Sequence, residues 1–559
     1  MDEDVRVPTP WESLARWLGP PRGYQLTRTL IFRLLGFVYV FAFLGIIQQG
    51  LPLLGSHGLT PIGAYVDQLH AGGVTFWDVP SLFMLDGSDA AIQTWAWVGF
   101  AVSLAVACGY ANMPMLLVLW ALYGSYERVG QLWFSFGWEI QILETTLIAA
   151  ALAHPWDPRP LAARPPPTTP IVLMRWLVFR IMLGAGLIKL RGDSCWTHLT
   201  CLDWHFETQP IPNPLSPWFH HLPKAVLHGG VVFNHIVEVV APWFVFGPRR
   251  LRIVAGLMMA AFQGVLILSG NLAFLNWLTL VPILACFDDD VLLALTPRRP
   301  REWLRARMAP VQPRDGKQLA FAIGGGLVAF IVWMLAFHSM APAHVVVLTV
   351  IALAAAFKLW RGDRHQLAVG LFAALVILKS WSVVANLASH HQAMNTEFDR
   401  LATVNTYGAF GSVGAVRHEL VIEGSMDGQT WQAYELPCKP GALDRRPCIL
   451  GPYHRRLDWL IWFSAMYDQP EDPWILHFVW KLLDGDRTVR QLLAVDPFDG
   501  RPPKWVRIRR FVYHLEPYSS PTWWTRDSEQ LWLPPVSLDT AALRQALEQF
   551  GWPSPSVHE

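Results

Sequence analysis

"GDSCWTHLTCLDWHFETQPIPNP" (Gly192–Pro214) separates two long apolar runs. It carries two cysteines six residues apart, three acidic residues, two histidines and a proline-punctuated tail. The side of the membrane this loop occupies decides how the whole chain is threaded.

The surrounding composition sets the class. Of 559 residues, 53% are hydrophobic and 16% charged, a balance that does not suit a soluble enzyme. Apolar runs of about 18 or more residues recur through the first two-thirds, as a polytopic helical membrane protein requires. The expected spans are 30–54, 91–109, 112–125, 131–153, 170–190, 229–247, 251–269, 271–287, 318–338, 341–358 and 365–386. The stretch 251–287 is too long for one span and divides at Ser269-Gly270-Asn271. The expected organisation is a cytoplasmic segment (1–29), a membrane domain of about 11 spans (30–388) with an exported loop (191–228), and an exported soluble domain (389–559).

Lys and Arg distribution supplies an independent orientation. Nineteen fall in the loops that share a side with the N-terminus, including Arg249, Arg250, Arg252 and the 288–317 loop. Only Arg128, Arg191 and Lys224 fall in the other set. The N-terminus is therefore expected in the cytoplasm, with the opening loop and all residues after 386 exported. The first 29 residues are polar and lead into the first span, so that helix is expected to be a retained anchor. No Asn-x-Ser/Thr sequon occurs, which favours a bacterial inner membrane over a glycosylated endoplasmic reticulum.

Cys195, Cys201, Cys438 and Cys448 fall on the exported side, where an oxidising compartment allows disulfides. Two local bridges, Cys195–Cys201 and Cys438–Cys448, are the simplest pairing. The rival reading of the first pair is a metal site of Cys195, His198, Cys201 and His205, whose spacing matches no zinc pattern. No metal and no cofactor is expected.

Charges inside spans are costly and mark partners or function. At about 1.5 Å rise per residue, Glu139, Arg180 and Glu238 fall at similar depth and can form one buried cluster, with Glu144 nearer Arg175 or Arg180. Such a cluster either locks helices together or lines a polar pocket.

After residue 388, "RHELVIEGSMDGQTWQAYEL" (Arg417–Leu436) reads as two strands about Asp427-Gly428. "PKWVRIRRFVYHLEP" (Pro503–Pro517) reads as a third, and two helical stretches lie between. The expected fold is a mixed α/β, β-sandwich-like domain. Trp459, Trp462, Trp474, Trp480, Trp505, Trp523, Trp524 and Trp532 serve either its core or a contact with membrane or client. No nucleophile elbow, phosphate-binding loop or zinc-protease motif is present, and near-zero net charge points away from nucleic acid.

"GDSCWTHLTCLDWHFETQPIPNPLSPW" (Gly192–Trp218) and "SGNLAFLNWLT" (Ser269–Thr279) resemble the lipase maturation factor family. So do "NTYGAFGSV" (Asn405–Val413), "CKPGALDRRPCILGPYHRRLDWLIWF" (Cys438–Phe463), "FDGRPPKWVR" (Phe498–Arg507) and the closing "GWP" (Gly551–Pro553). The resemblance implies a multi-pass protein that assists folding or maturation of secreted proteins. Its implied partners are membrane lipids and an exported client, lipase-like for the animal members. "GAGLIKLRGDSCW" (Gly184–Trp196) is also similar to the membrane domains of vitamin K-dependent carboxylases, which implies an alternative enzyme acting on a lipidic or quinone-type substrate in a mid-membrane pocket. In that alternative Lys189 is catalytic and His235 and Glu238 line the pocket. The plain reading of Lys189 is an anchor snorkelling from a span end.

Overall fold

A computed structural model describes residues 22–161, 164–310, 324–326 and 363–552. Six of its helices are long and apolar enough to cross a membrane. These are α1 (Gln25–Leu54), α2 (Asp89–Ala107), α5 (Thr168–Arg191), α6 (Lys224–Phe246), α7 (Arg249–Ser269) and α9 (Arg364–Ala388). They coincide with six of the expected spans.

Three further expected spans are shorter helices: α3 (Met113–Val129), α4 (Gly137–Leu152) and α8 (Leu275–Ile283). The expected spans 318–338 and 341–358 lie outside the described residues, apart from 324–326. The supported architecture is thus a helical membrane region with six candidate spans, and the figure of about 11 is not established.

Local chemistry sets the helix limits. Asn112 caps α3 by accepting the Met115 N–H, and Pro114 sits in its first turn, where no amide donor is needed. The α6 helix is not regular. Lys224–His235 is α-helical, Ile236–Val240 is one π-helical turn, and Ala241–Phe246 tightens to a 3-10 helix at Pro242.

The second part is a four-stranded antiparallel sheet of order β2-β1-β3-β4, formed by β1 (Arg417–Ser425), β2 (Gln432–Ala433), β3 (Trp505–Leu515) and β4 (Trp524–Val536). The expected hairpin is present, with Glu423 opposite Ala433. Its loop is closed by Gly428, whose φ of 74° suits glycine, and by Asp427, which accepts the Gln429 and Thr430 N–H groups. The sandwich expectation is corrected: among the described residues there is one sheet, and its second layer is helical. α10 (Arg456–Ser464) and α11 (Pro473–Asp484) pack on it. Leu420, Ile422, Val506 and Ile508 on that face join Trp459 and the membrane-helix side chains in one continuous core. On the other face Val421, Phe511, Tyr513, Leu515 and Trp524 make a small separate cluster. Trp459, Trp474, Trp480, Trp524 and Trp532 are buried, so most of the aromatic load is core, whereas Trp505 is exposed.

Candidate functional site

The charged residues picked out by depth do not meet as one cluster. Glu144 does meet Arg180, but Glu139, Arg180 and Glu238 each find a separate partner, because equal depth says nothing about which way a helix face points. Arg175 donates to the Ala285 carbonyl at 2.9 Å and to the Tyr24 hydroxyl at 2.8 Å. Glu144 pairs with Arg180 in a fully buried salt bridge. It also accepts the Asn405 N–H at 3.0 Å and the Tyr407 hydroxyl at 2.8 Å, while Arg180 donates to the Asn405 carbonyl at 2.8 Å. Glu139 accepts from Arg456 at 2.8 Å, from Trp138 Nε1 at 3.0 Å and from the Tyr123 hydroxyl. Arg456 also donates to the Trp133 carbonyl and lies 3.7 Å from the centre of the Phe134 ring.

Asn405, Tyr407 and Arg456 follow the last described span, so chain from beyond residue 388 bonds Glu139 and Glu144 of α4 and Arg180 of α5. Two more clamps seal the same junction. Asn271 receives the Leu450 and Gly451 N–H groups at 2.9 and 3.1 Å and donates to the Cys448 carbonyl at 2.9 Å. Arg417, in β1, donates to the carbonyls of Glu207, Gln209 and Pro210 and pairs with Glu419. The opening loop is therefore the socket of the sheet. Its Glu207 carboxylate accepts the Leu515 N–H at 2.7 Å, and burial pushes that carboxyl above the usual range. Asn271, Arg417 and Arg456 were not nominated as site residues, although Asn271 and Arg456 lie inside the family-like stretches.

Cys195 is bonded to Cys201 and Cys438 to Cys448. The metal alternative thus loses its thiolates. His198 is exposed, and His205 is buried beside Phe410.

Lys189 and Glu238 do come together. The Lys189 ammonium lies 2.7 Å from both Glu238 oxygens and 3.1 Å from Asn234 Oδ1, over the Trp196 ring. Lys189 is only 4% exposed, so the snorkelling-anchor reading is corrected. The π turn of α6 carries Glu238 against α5. A Cβ at Gly186 would stand 2.7 Å from Val239 Cγ2 and 3.0 Å from Glu238 Cβ, so the approach depends on glycine. His235 bonds neither residue of this pair; its Nε2 lies 3.1 Å from the Trp196 carbonyl.

The Lys189–Glu238 pair forms part of the wall of a cavity of about 430 Å³, in the range of small-molecule sites. Its walls come from α4 to α8, the opening loop, residues 407–412 and α10. Most of the lining is aromatic or aliphatic, with a few amides among it. His205 also lines it, and burial, aided by the Lys189 charge, pushes its imidazole down to about 4, so the ring is neutral at pH 7. Among the described residues no three His, Cys, Asp or Glu side chains are grouped to hold a metal.

An integral membrane helical region clamped to a small sheet domain through buried polar contacts defines the class: a multi-pass protein with an appended domain rooted in its membrane part. Comparison with known proteins narrows it. Residues 26–294 match the lipase maturation factor transmembrane domain, and residues 403–534 match the lipase maturation factor C-terminal domain. The chain is 41% identical to lipase maturation factor 1 of Bos taurus, covering 95% of this chain and 92% of that protein. It is 38% identical to lipase maturation factor 1 of Homo sapiens (95% and 91% covered) and 30% identical to lipase maturation factor 2 of Homo sapiens (95% and 85% covered). The chain belongs to the lipase maturation factor family. No solved structure matches it.

Proposed function

We propose that this protein assists the maturation of a lipase or lipase-like exported protein, acting in the membrane across which its client passes. The observation that carries the proposal is the 41% identity, over 95% of the chain, to a protein named for lipase maturation. The junction supports it. Asn271, Asn405 and Arg456 lie within the family-like stretches and root the sheet in the helices, so the two parts can act as one unit. In this proposal residues 1–29 are cytoplasmic, 30–388 form the membrane domain with the exported loop 191–228, and 389–559 meet the client outside the cytoplasm. The membrane is a bacterial inner membrane or the endoplasmic reticulum. The basic-residue asymmetry of the loops supports this orientation, and it puts both disulfides on the exported side, where an oxidising compartment allows them.

The test is complementation. The chain is expressed in cells that lack lipase maturation factor 1 and secrete a lipase dependent on it. Restored lipase activity per unit of lipase protein supports the proposal. Unrestored activity, with this chain abundant and correctly inserted, would refute it.

A further inference from the structure

The cavity carries polar groups that its own walls leave unsatisfied. Asn276 and Gln263 each line it and are each only 4% exposed. Among the described residues the Asn276 side-chain amide has no hydrogen-bond partner. That of Gln263 has only the Met182 sulfur, at 3.9 Å. Buried amides are almost always bonded, so these two, open only to the cavity, call for a partner there. Two such amides in an apolar chamber point to a ligand that brings its own donors and acceptors.

The remaining lining limits the rest of that ligand. Ile181, Met182, Leu266 and Phe262 offer only apolar contact, which suits a hydrocarbon chain. The Lys189 charge is already matched by Glu238 at 2.7 Å, so the wall presents no net charge. An anionic head would lie buried without a counter-ion, which is costly. The route in is also visible. Phe233 of α6 and Val265 of α7 line the cavity and are 36% and 41% exposed on the outer faces of two candidate spans. Phe233 stands four residues inside the expected span 229–247 and Val265 four residues from the end of α7 at Ser269, about 6 Å each at 1.5 Å per residue, so the opening lies at the shallow edge of the hydrocarbon, beneath the exported loop.

We propose that this cavity binds a neutral single-chain lipid, entering sideways between α6 and α7, whose hydroxyl or ester head bonds Asn276 and Gln263. This goes beyond the maturation role and does not depend on it.

The full-length protein in mild detergent is exposed to a monoacylglycerol bearing a diazirine and an alkyne, irradiated, and mapped by peptide mass spectrometry. The expected result is saturable labelling within 230–238 and 262–279 that unlabelled monoacylglycerol competes away. Asn276→Leu is expected to weaken labelling about ten-fold, the loss of one hydrogen-bonding group, without lowering the melting midpoint. The same probe with a phosphate head is expected to label poorly. If Asn276→Leu does not fold, Gln263→Leu is read the same way, and competition on the unaltered protein decides independently. Uncompeted labelling spread over all outer helix faces would overturn the proposal. So would equal labelling by the phosphate probe, unchanged labelling in a folded leucine variant, or a co-purified peptide crosslinked in the cavity. Lipid labelling and lipase complementation are separate readouts, so either can fail alone.

Discussion

Two sets of buried charges lie within this membrane region, and they are built to opposite specifications. At the junction, Glu139 and Glu144 take bonds from tyrosine, asparagine, tryptophan and arginine and lie outside the cavity lining. At the cavity, Lys189 and Glu238 are paired with each other and Asn234 but share its lining with two amides that have no adequate partner. Carboxylates bonded at both oxygens mark a fastening, since they have nothing left to offer a ligand, although among the described residues Arg180 Nε and Asn405 Oδ1 in the same network find no partner. Unsatisfied groups in an enclosed apolar space mark a place made for something else.

The comparison is most easily broken at the junction. Removing Arg456 leaves Glu139 buried beside Trp138 and Tyr123 without its counter-charge, and breaking a buried pair this way costs about 3–5 kcal/mol. Arg456→Met is therefore expected to give the largest loss of thermal stability of any change considered, measured by intrinsic-fluorescence melting in detergent. Adding Glu139→Gln should return part of that loss, because the orphaned charge is then gone. A single variant as stable as the parent would remove the fastening argument.

Much of this was legible in the chain, and what was not has a physical cause. Apolar length located the six long helices, and alternation located β1 and β3. The β4 segment, "WTRDSEQLWLPPV", was missed because an edge strand carries charges and a Pro-Pro pair that a central strand cannot. Its register slips against β3 further blur the alternation. Depth counting placed Glu139, Arg180 and Glu238 level with one another, yet each bonds elsewhere, because their partners include residues more than two hundred positions away. Lys189 and Glu238, named together for the carboxylase-like alternative, do pair. Nothing in the sequence marks Asn276 and Gln263, since a missing hydrogen bond leaves no trace there.

The disulfides sharpen the comparison at the next level of magnitude. The chain-entropy relation assigns roughly 2–3 kcal/mol to each, slightly more to Cys438–Cys448, which encloses the longer loop. Cys438→Ala/Cys448→Ala should loosen the junction, because Asn271 holds the Cys448 carbonyl. Cys195→Ala/Cys201→Ala should act on the cavity side, where Trp196 covers Lys189. Melting combined with proteolysis of residues 389–559 separates the two. Equal proteolysis in both variants would contradict the division.

Acid should reach both regions at once. Burial pushes His205, in the cavity wall, and His477, bonded to the Leu59 carbonyl at 2.6 Å, down to about 4. The unfolded chain takes up those protons near 6.5, so it binds more protons than the folded chain between about 6.5 and 4. Stability is complete above that window and falls as pH drops through it, by roughly 2 kcal/mol per group at pH 5. Replacing one histidine, as in His477→Gln, should flatten the decline between pH 7 and 5. An unchanged slope would mean that other groups carry the acid response.

The smallest effect is the control that gives the largest its meaning. Arg298 and Glu302 pair at 3.0 Å, hardly longer than the 2.8 Å of Arg456 and Glu139, but their side chains are 89% and 65% exposed. Water already solvates both charges, and the pairing must repay the freedom of two long side chains, so an i,i+4 pair of this kind contributes about 0.3–0.5 kcal/mol. Glu302→Gln should shift the melting midpoint within measurement error at physiological salt, and the remaining difference should vanish as salt screens it. Distance is nearly the same in the two pairs, and only the surroundings differ. If Glu302→Gln costs as much as Arg456→Met, burial is not what makes the junction a fastening, and saturated and unsaturated charges in this protein would have to be distinguished on some other ground.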